Sequence, residues 1–117
     1  MNSLLEIPTT LPTLDELWGL NGLTAAGFFE LIASRLSPEQ PQVLTVHAEL
    51  EGGPALREFS RFLERACRQG VDFFPLEDWA AELLQCPEGI PVAAVRQGRL
   101  PGRAGTVSCQ EGMGWRL

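Results

Sequence analysis

Lysine is missing from this 117-residue sequence, and histidine occurs once. Every basic side chain is an arginine, and the formal net charge is −6. A chain of that sign lacks the concentrated basic face that a phosphate backbone requires, which argues against nucleic acid as a partner. Arg57, Arg61, Arg65 and Arg68 do recur at helical spacing, but Glu58 and Glu64 stand among them, so they read as a solvated helix face. Cysteine is scarce too. Cys67, Cys86 and Cys109 are odd in number, far apart and without a CxxC pair, so neither a zinc site nor a redox pair is predicted. Dispersed thiols of this kind fit a reducing cytoplasm. No apolar run approaches the roughly 18 residues of a membrane-spanning helix. No charged segment with an apolar core opens the chain, so no signal peptide is expected. No internal repeat is visible.

What is present suits a folded α/β chain. Hydrophobic residues make up 44% and charged residues 21%, too apolar for a disordered segment. The length fits one domain or part of one. Leu4 to Ile7 reads as the end of a strand stopped by Pro8. Thr13 and Glu16 have the spacing of a capping box and predict a short helix through Trp18. Ala25, Phe28, Phe29, Ile32 and Leu36 line one side of a second helix, Thr24 to Leu36. A third helix is predicted from Pro54, with Leu56, Phe59, Phe62, Leu63, Ala66 and Cys67 as its apolar stripe and Gly70 as its stop. Cys67 thereby reads as a small core residue. Val71 to Phe74 predicts a short strand, Glu77 to Leu84 a fourth helix and Ile90 to Val95 a last strand. From Arg96 onward, glycine, arginine and polar residues predict a loop or tail; a backbone nest for an anion is the alternative.

Between the second and third helices lies Val43-Leu44-Thr45-Val46-His47-Ala48-Glu49. Its apolar, β-branched character predicts a strand covered on both faces, as in a parallel sheet. The resulting order of strands and helices is α/β, with right-handed crossovers. Three or four strands cannot close a barrel. They form either a small open sheet or the last part of a larger barrel. His47 stands where the central strand gives way to a loop, the position at which parallel α/β folds carry reactive groups. A core histidine with both ring nitrogens satisfied is the competing reading. Glu49 would share a face with His47 if the strand ran that far. There it would orient the ring or touch a substrate; a solvated loop carboxylate is the alternative.

Several segments together resemble a known family. Ile7-Pro8-Thr9-Thr10-Leu11-Pro12-Thr13-Leu14-Asp15-Glu16 is similar to the stretch after a late barrel strand in the formamido-arabinose deformylases, of the polysaccharide deacetylase (NodB-like) superfamily. Thr45-Val46-His47-Ala48-Glu49-Leu50-Glu51-Gly52 resembles their last catalytic motif. Gln69-Gly70-Val71-Asp72-Phe73-Phe74-Pro75-Leu76 resembles the following strand. Val95-Arg96, Gly102-Arg103, Gly105 and Cys109-Gln110 resemble the family's Arg/Gly-rich ending, from which Gln97 departs as an insertion before Gly98.

The resemblance implies the C-terminal part of a (β/α) barrel over 1–95 and an Arg/Gly-rich tail over 96–117. It implies removal of a formyl group from a sugar linked to undecaprenyl phosphate, at the inner face of the bacterial inner membrane, in the lipid A modification that underlies polymyxin resistance. In the family a divalent, zinc-like metal held by an Asp and two His polarises the amide, a second Asp is the base, and the histidine of the last motif protonates the leaving amine. His47 matches that general acid. The other groups have no counterpart in this sequence, so no metal or other cofactor is expected within it. Three readings follow. One is a deformylase portion that is inactive alone and is complemented by an N-terminal half. Another is a module that binds the sugar or lipid carrier without chemistry. The third is a small α/β interaction domain. Open sheet edges predict self-association.

Overall fold

In a computed structural model of the protein, which describes residues 4–112, the Thr13–Glu16 capping box forms as read. The Thr13 hydroxyl accepts from the Glu16 amide at 3.2 Å, and Glu16 Oε1 accepts from the Thr13 amide at 3.0 Å. This box starts helix α1, Leu14–Leu17. Helix α2, Ala25–Arg35, is capped by Thr24, whose hydroxyl accepts from the Gly27 amide at 3.0 Å. Such a cap stabilises a helix end by about 1 kcal/mol. Helix α3, Leu56–Arg68, starts two residues later than predicted, because residues 51–55 are spent in turns. Gly70 ends it in the left-handed conformation, at φ 84°, while the Val71 amide donates back to the Ala66 carbonyl. Helix α4 is Leu76–Leu84.

The core lies among α1, α2 and α3. Leu11, Leu14, Leu17, Ala25, Phe28, Phe29, Ile32, Ala55 and Phe62 form its buried cluster. Phe29 stacks on Phe62 at 5.3 Å between ring centroids and meets Phe28 edge-on at 5.1 Å. Phe28 is fully buried. Phe28→Ala is expected to cost about 3–5 kcal/mol, enough to abolish the cooperative urea transition of a core this small.

The predicted stripe of α3 is only half used. At 3.6 residues per turn, Phe59, Phe62 and Ala66 share one flank and Leu56, Leu63 and Cys67 the other. The first flank packs toward α2. On the second, Leu63 is partly buried against the core, but Leu56 is 52% exposed and Cys67 is exposed, so Cys67 is not the core residue its spacing predicted. No residue of α4 is buried. The Cα radius of gyration is 15.6 Å, against about 13 Å for a compact chain of this length.

The predicted parallel sheet is not formed among the described residues. The fold is a small α/β domain of four α-helices and one two-stranded antiparallel sheet, and no barrel is seen. Residues 41–47 and 71–75 form no helix and belong to no ladder. The first of them is tied to the N-terminal segment at Val43, whose carbonyl accepts from the Thr10 and Leu11 amides, each at 3.1 Å. The physical reason is a shortage of neighbours. A strand of a parallel sheet is held from both sides and covered on both faces. Here Val46 and Phe73 remain about half exposed.

The Arg/Gly-rich stretch departs from expectation in the opposite direction. In place of a loop or tail it forms a hairpin of β1, Val95–Gly98, and β2, Val107–Gln110. Val95 pairs with Gln110 and Gly98 with Val107. Gln97 donates to the Ser108 hydroxyl at 3.1 Å and accepts from that of Thr106, which gives the inserted residue a cross-strand role. The strand predicted over Ile90 to Val95 is limited to its last residue. Residues 1–3, and 113–117 at the end of the predicted tail, lie outside the described residues.

Between the two strands, Gly102 packs on the backbone of α1. A Cβ built there would fall 1.6 Å from the Glu16 carbonyl oxygen, and φ is 77°. Only glycine fits such an approach. Next to it, Arg103 Nε lies 3.4 Å from Oε2 of the buried Glu16. The α1 motif and the Gly-Arg motif, far apart in sequence, therefore meet at one carboxylate.

Candidate functional site

His47 is reached through a short chain of fixed points. Gln42 clamps the end of α2, donating to the Arg35 carbonyl at 2.8 Å and accepting from the Ser37 amide at 2.9 Å. Val43 is held against Thr10 and Leu11. His47 is the last residue before the chain turns at Ala48, although the strand predicted to end there is not formed. The His47 carbonyl accepts from the Leu50 and Glu51 amides, each at 3.0 Å. Glu51 folds back, and its Oε2 accepts from the His47 amide at 2.9 Å.

The two glycines complete this turn by what they lack. A Cβ on Gly52 would stand 2.4 Å from the Ala48 carbonyl oxygen, and one on Gly53 2.7 Å from that of Glu49. The His-Ala-Glu-Leu-Glu-Gly-Gly run is thus one unit, with a physical reason for its histidine carbonyl, its second glutamate and its glycines. Gly52→Ala is expected to destabilise the protein by about 1–3 kcal/mol, as overpacking does. Gly89→Ala, at a site with nothing within 4 Å of the added carbon, serves as the control and should stay within about 0.5 kcal/mol. Urea midpoints of the two variants test this.

Two atoms of the turn are buried without a protein partner: Nδ1 of His47 and Oε1 of Glu51. His47 is therefore not a core histidine with both ring nitrogens satisfied. Glu51 is 2% exposed, although it reads as a loop carboxylate in the sequence. Glu49 is exposed. Strand alternation would put Glu49 beside His47, but the backbone has already turned at Ala48. The carboxylate that returns to His47 is Glu51. The sequence signal for it is the interval of four across a turn ending in two glycines.

Other chemistry is sparse. Among the described residues, no three His, Cys, Asp or Glu side chains gather where a metal ion could be held. The donors around His47 therefore do not fit the divalent metal that the resemblance implies. The exposed Cys86 thiol donates to Glu88 Oε1 at 3.1 Å, which raises its pKa and lowers that of the carboxylate, the reverse of an activated nucleophile. One cavity of about 400 Å³ lies against Leu17, Leu20, Leu23 and Leu31. Another of about 260 Å³ runs between α2 and α3 beneath the Glu30–Arg65 ion pair. Neither has His47 in its lining. No helix among the described residues is long and apolar enough to cross a membrane.

The chain is similar in sequence to two proteins described as probable formamido-arabinose deformylases. It is 34% identical over 109 residues to a protein of Wigglesworthia glossinidia brevipalpis described as a probable 4-deoxy-4-formamido-L-arabinose-phosphoundecaprenol deformylase, ArnD. It is 30% identical over 109 residues to a protein of the same description from Shewanella sediminis (strain HAW-EB3). Each match covers 92% of this chain but only 36% and 34% of the two relatives, so the chain spans about a third of their length. No family model matches the sequence, and no solved structure matches it.

Proposed function

We propose that this chain corresponds to the C-terminal portion of a deformylase of the polysaccharide deacetylase (NodB-like) superfamily, and that His47 is the acid-bearing end of its active site. The observation that supports this most directly is the His47–Gly53 turn, at whose start stands a histidine with an unpartnered ring nitrogen. The substrate would be a formamido sugar on undecaprenyl phosphate, met at the cytoplasmic face of the inner membrane during lipid A modification. An amine leaves an amide poorly unless it is protonated as the C–N bond breaks, and imidazole is the side chain suited to that task near neutral pH. The remaining catalytic groups, with any metal, would come from polypeptide beyond this sequence, in the same chain or in a second one. The uncovered flank of α3 and the unladdered segments 41–47 and 71–75 are the surfaces on which that polypeptide would pack, completing the barrel.

The test is reconstitution. The chain is co-expressed with the part of the Wigglesworthia relative that it does not match, and formate release from the lipid-linked sugar is measured. Activity that requires both pieces supports the proposal. A stable complex without activity would overturn it in favour of a second reading, a non-catalytic binding or interaction module. That reading is favoured by one observation, the apolar surface left open on α3 and α4.

A further inference from the structure

Helices α3 and α4 each leave an apolar face open. On α3 the open flank carries Leu56, 52% exposed, with the exposed Cys67 and the partly buried Leu63. On α4, Leu76, Trp79, Ala80, Leu83 and Leu84 fall at the spacings of a single stripe. Leu76 and Leu84 are about half exposed, and no residue of the helix is buried. The two helices also carry opposite charge. Although the chain is acidic, α3 holds four arginines against two glutamates. At 3.6 residues per turn, Arg57, Arg61 and Arg68 lie beside its open flank, with Glu64 the one acid among them. Of the four arginines, only Arg65 is in an ion pair among the described residues. Helix α4 holds Glu77, Asp78 and Glu82 and no base. Glu77 and Glu82 border its stripe on either side, and none of the three acids is ion-paired among the described residues.

We propose that two copies of this chain associate reciprocally, the apolar stripe of α4 in each lying along the open flank of α3 in the other. Burial of the leucines and Trp79 supplies the affinity, and the facing acids and arginines fix which surfaces meet. About a twofold axis both patches are used twice, so neither is left to recruit a third copy. A second copy is favoured over the helix's own α3 by how the chain leaves that helix. Gly70 is left-handed, and the Val71 amide donates to the Ala66 carbonyl at 3.0 Å, which fixes the exit. Helix α4 then packs on the short turn Pro87–Gly89 and not back on the core cluster. The same flank of α3 is where the remaining catalytic polypeptide would pack, so that occupant and the second copy exclude each other. The paired state belongs to the chain on its own and does not rest on the proposed function.

The experiment is sedimentation equilibrium of the full chain with a thiol reductant, because Cys67 and Cys86 are exposed. The wild type is compared with two charge-reversed variants, Glu77→Arg/Glu82→Arg and Arg57→Glu/Arg68→Glu. All four positions are exposed, so folding should survive, and circular dichroism checks it. The wild type is expected at twice the mass of one chain. Either variant alone sets like charges across the contact and should raise the dissociation constant at least about tenfold. Mixed in equal amounts, the two variants should pair with each other, because the arginines of one α4 then face the glutamates of the other α3, and the converse. A wild type still monomeric at about 1 mM, the weak end of specific association, overturns the inference, whether α4 folds back on its own α3 or stays open. Assembly beyond two copies overturns it, as does a dimer that both variants leave unchanged. So do folded variants that stay apart when mixed, and a reconstituted complex that keeps two copies of this chain paired.

Discussion

The purified 117-residue chain, given a lipid-linked formamido sugar and zinc, is expected to release no formate above background. The reasoning is a comparison of magnitudes. A positioned general acid contributes about 10²- to 10⁴-fold, whereas enzymes typically accelerate their reactions by about 10⁶-fold or more. The proposed acid, even correctly oriented, therefore falls at least two orders short. No cluster among the described residues supplies the difference by holding a metal. Zinc-dependent formate release by the monodisperse chain would refute both the incompleteness and the assignment of roles.

The second large effect belongs to the reconstituted protein. There His47→Ala is expected to lower kcat by about 10²- to 10⁴-fold and to leave KM within a few fold. The group acts on a nitrogen whose basicity develops only as the bond breaks, so its loss is felt in the transition state and not in substrate binding. The turn makes the substitution clean. The His47 carbonyl and amide, which hold Leu50 and Glu51, are backbone groups and survive the change. A circular dichroism melt should confirm that the variant folds before kcat is measured. A kcat within a few fold of the unmodified protein would remove His47 from the reaction.

How much could be read in advance depended on how local each cause was. The start of α1 was legible because Thr13 and Glu16 satisfy each other within one turn. The end of α3 was legible because Gly70 alone accommodates the left-handed residue there. The strands were not legible in the same sense. Val43 to Val46 has strand chemistry, but a ladder is a property of two segments, and none of the described residues pairs with the central segment as a strand. The hairpin is not legible because its glycines, Gly102 and Gly105, have the composition of a tail. Both have positive φ and turn the chain between paired strands. The exposure of Cys67 is not legible because helical spacing gives the width of an apolar stripe and not the width of what covers it. At the site, the motif identified His47. The burial of Glu51 depends on a reversal at Ala48 that no residue type announces by itself.

The approach of Gly102 to α1 also has a kinetic consequence. Helices α2 and α3 are near in sequence and can dock early, whereas the contact between Gly102 and Glu16 joins the two extremes of the described chain. Closing so long a loop is entropically slow and is rewarded only after the intervening residues are in place. The hairpin should therefore be the last element to settle during folding. On the ribosome it cannot settle until Arg103 has emerged, long after the turn at His47 has been free to form.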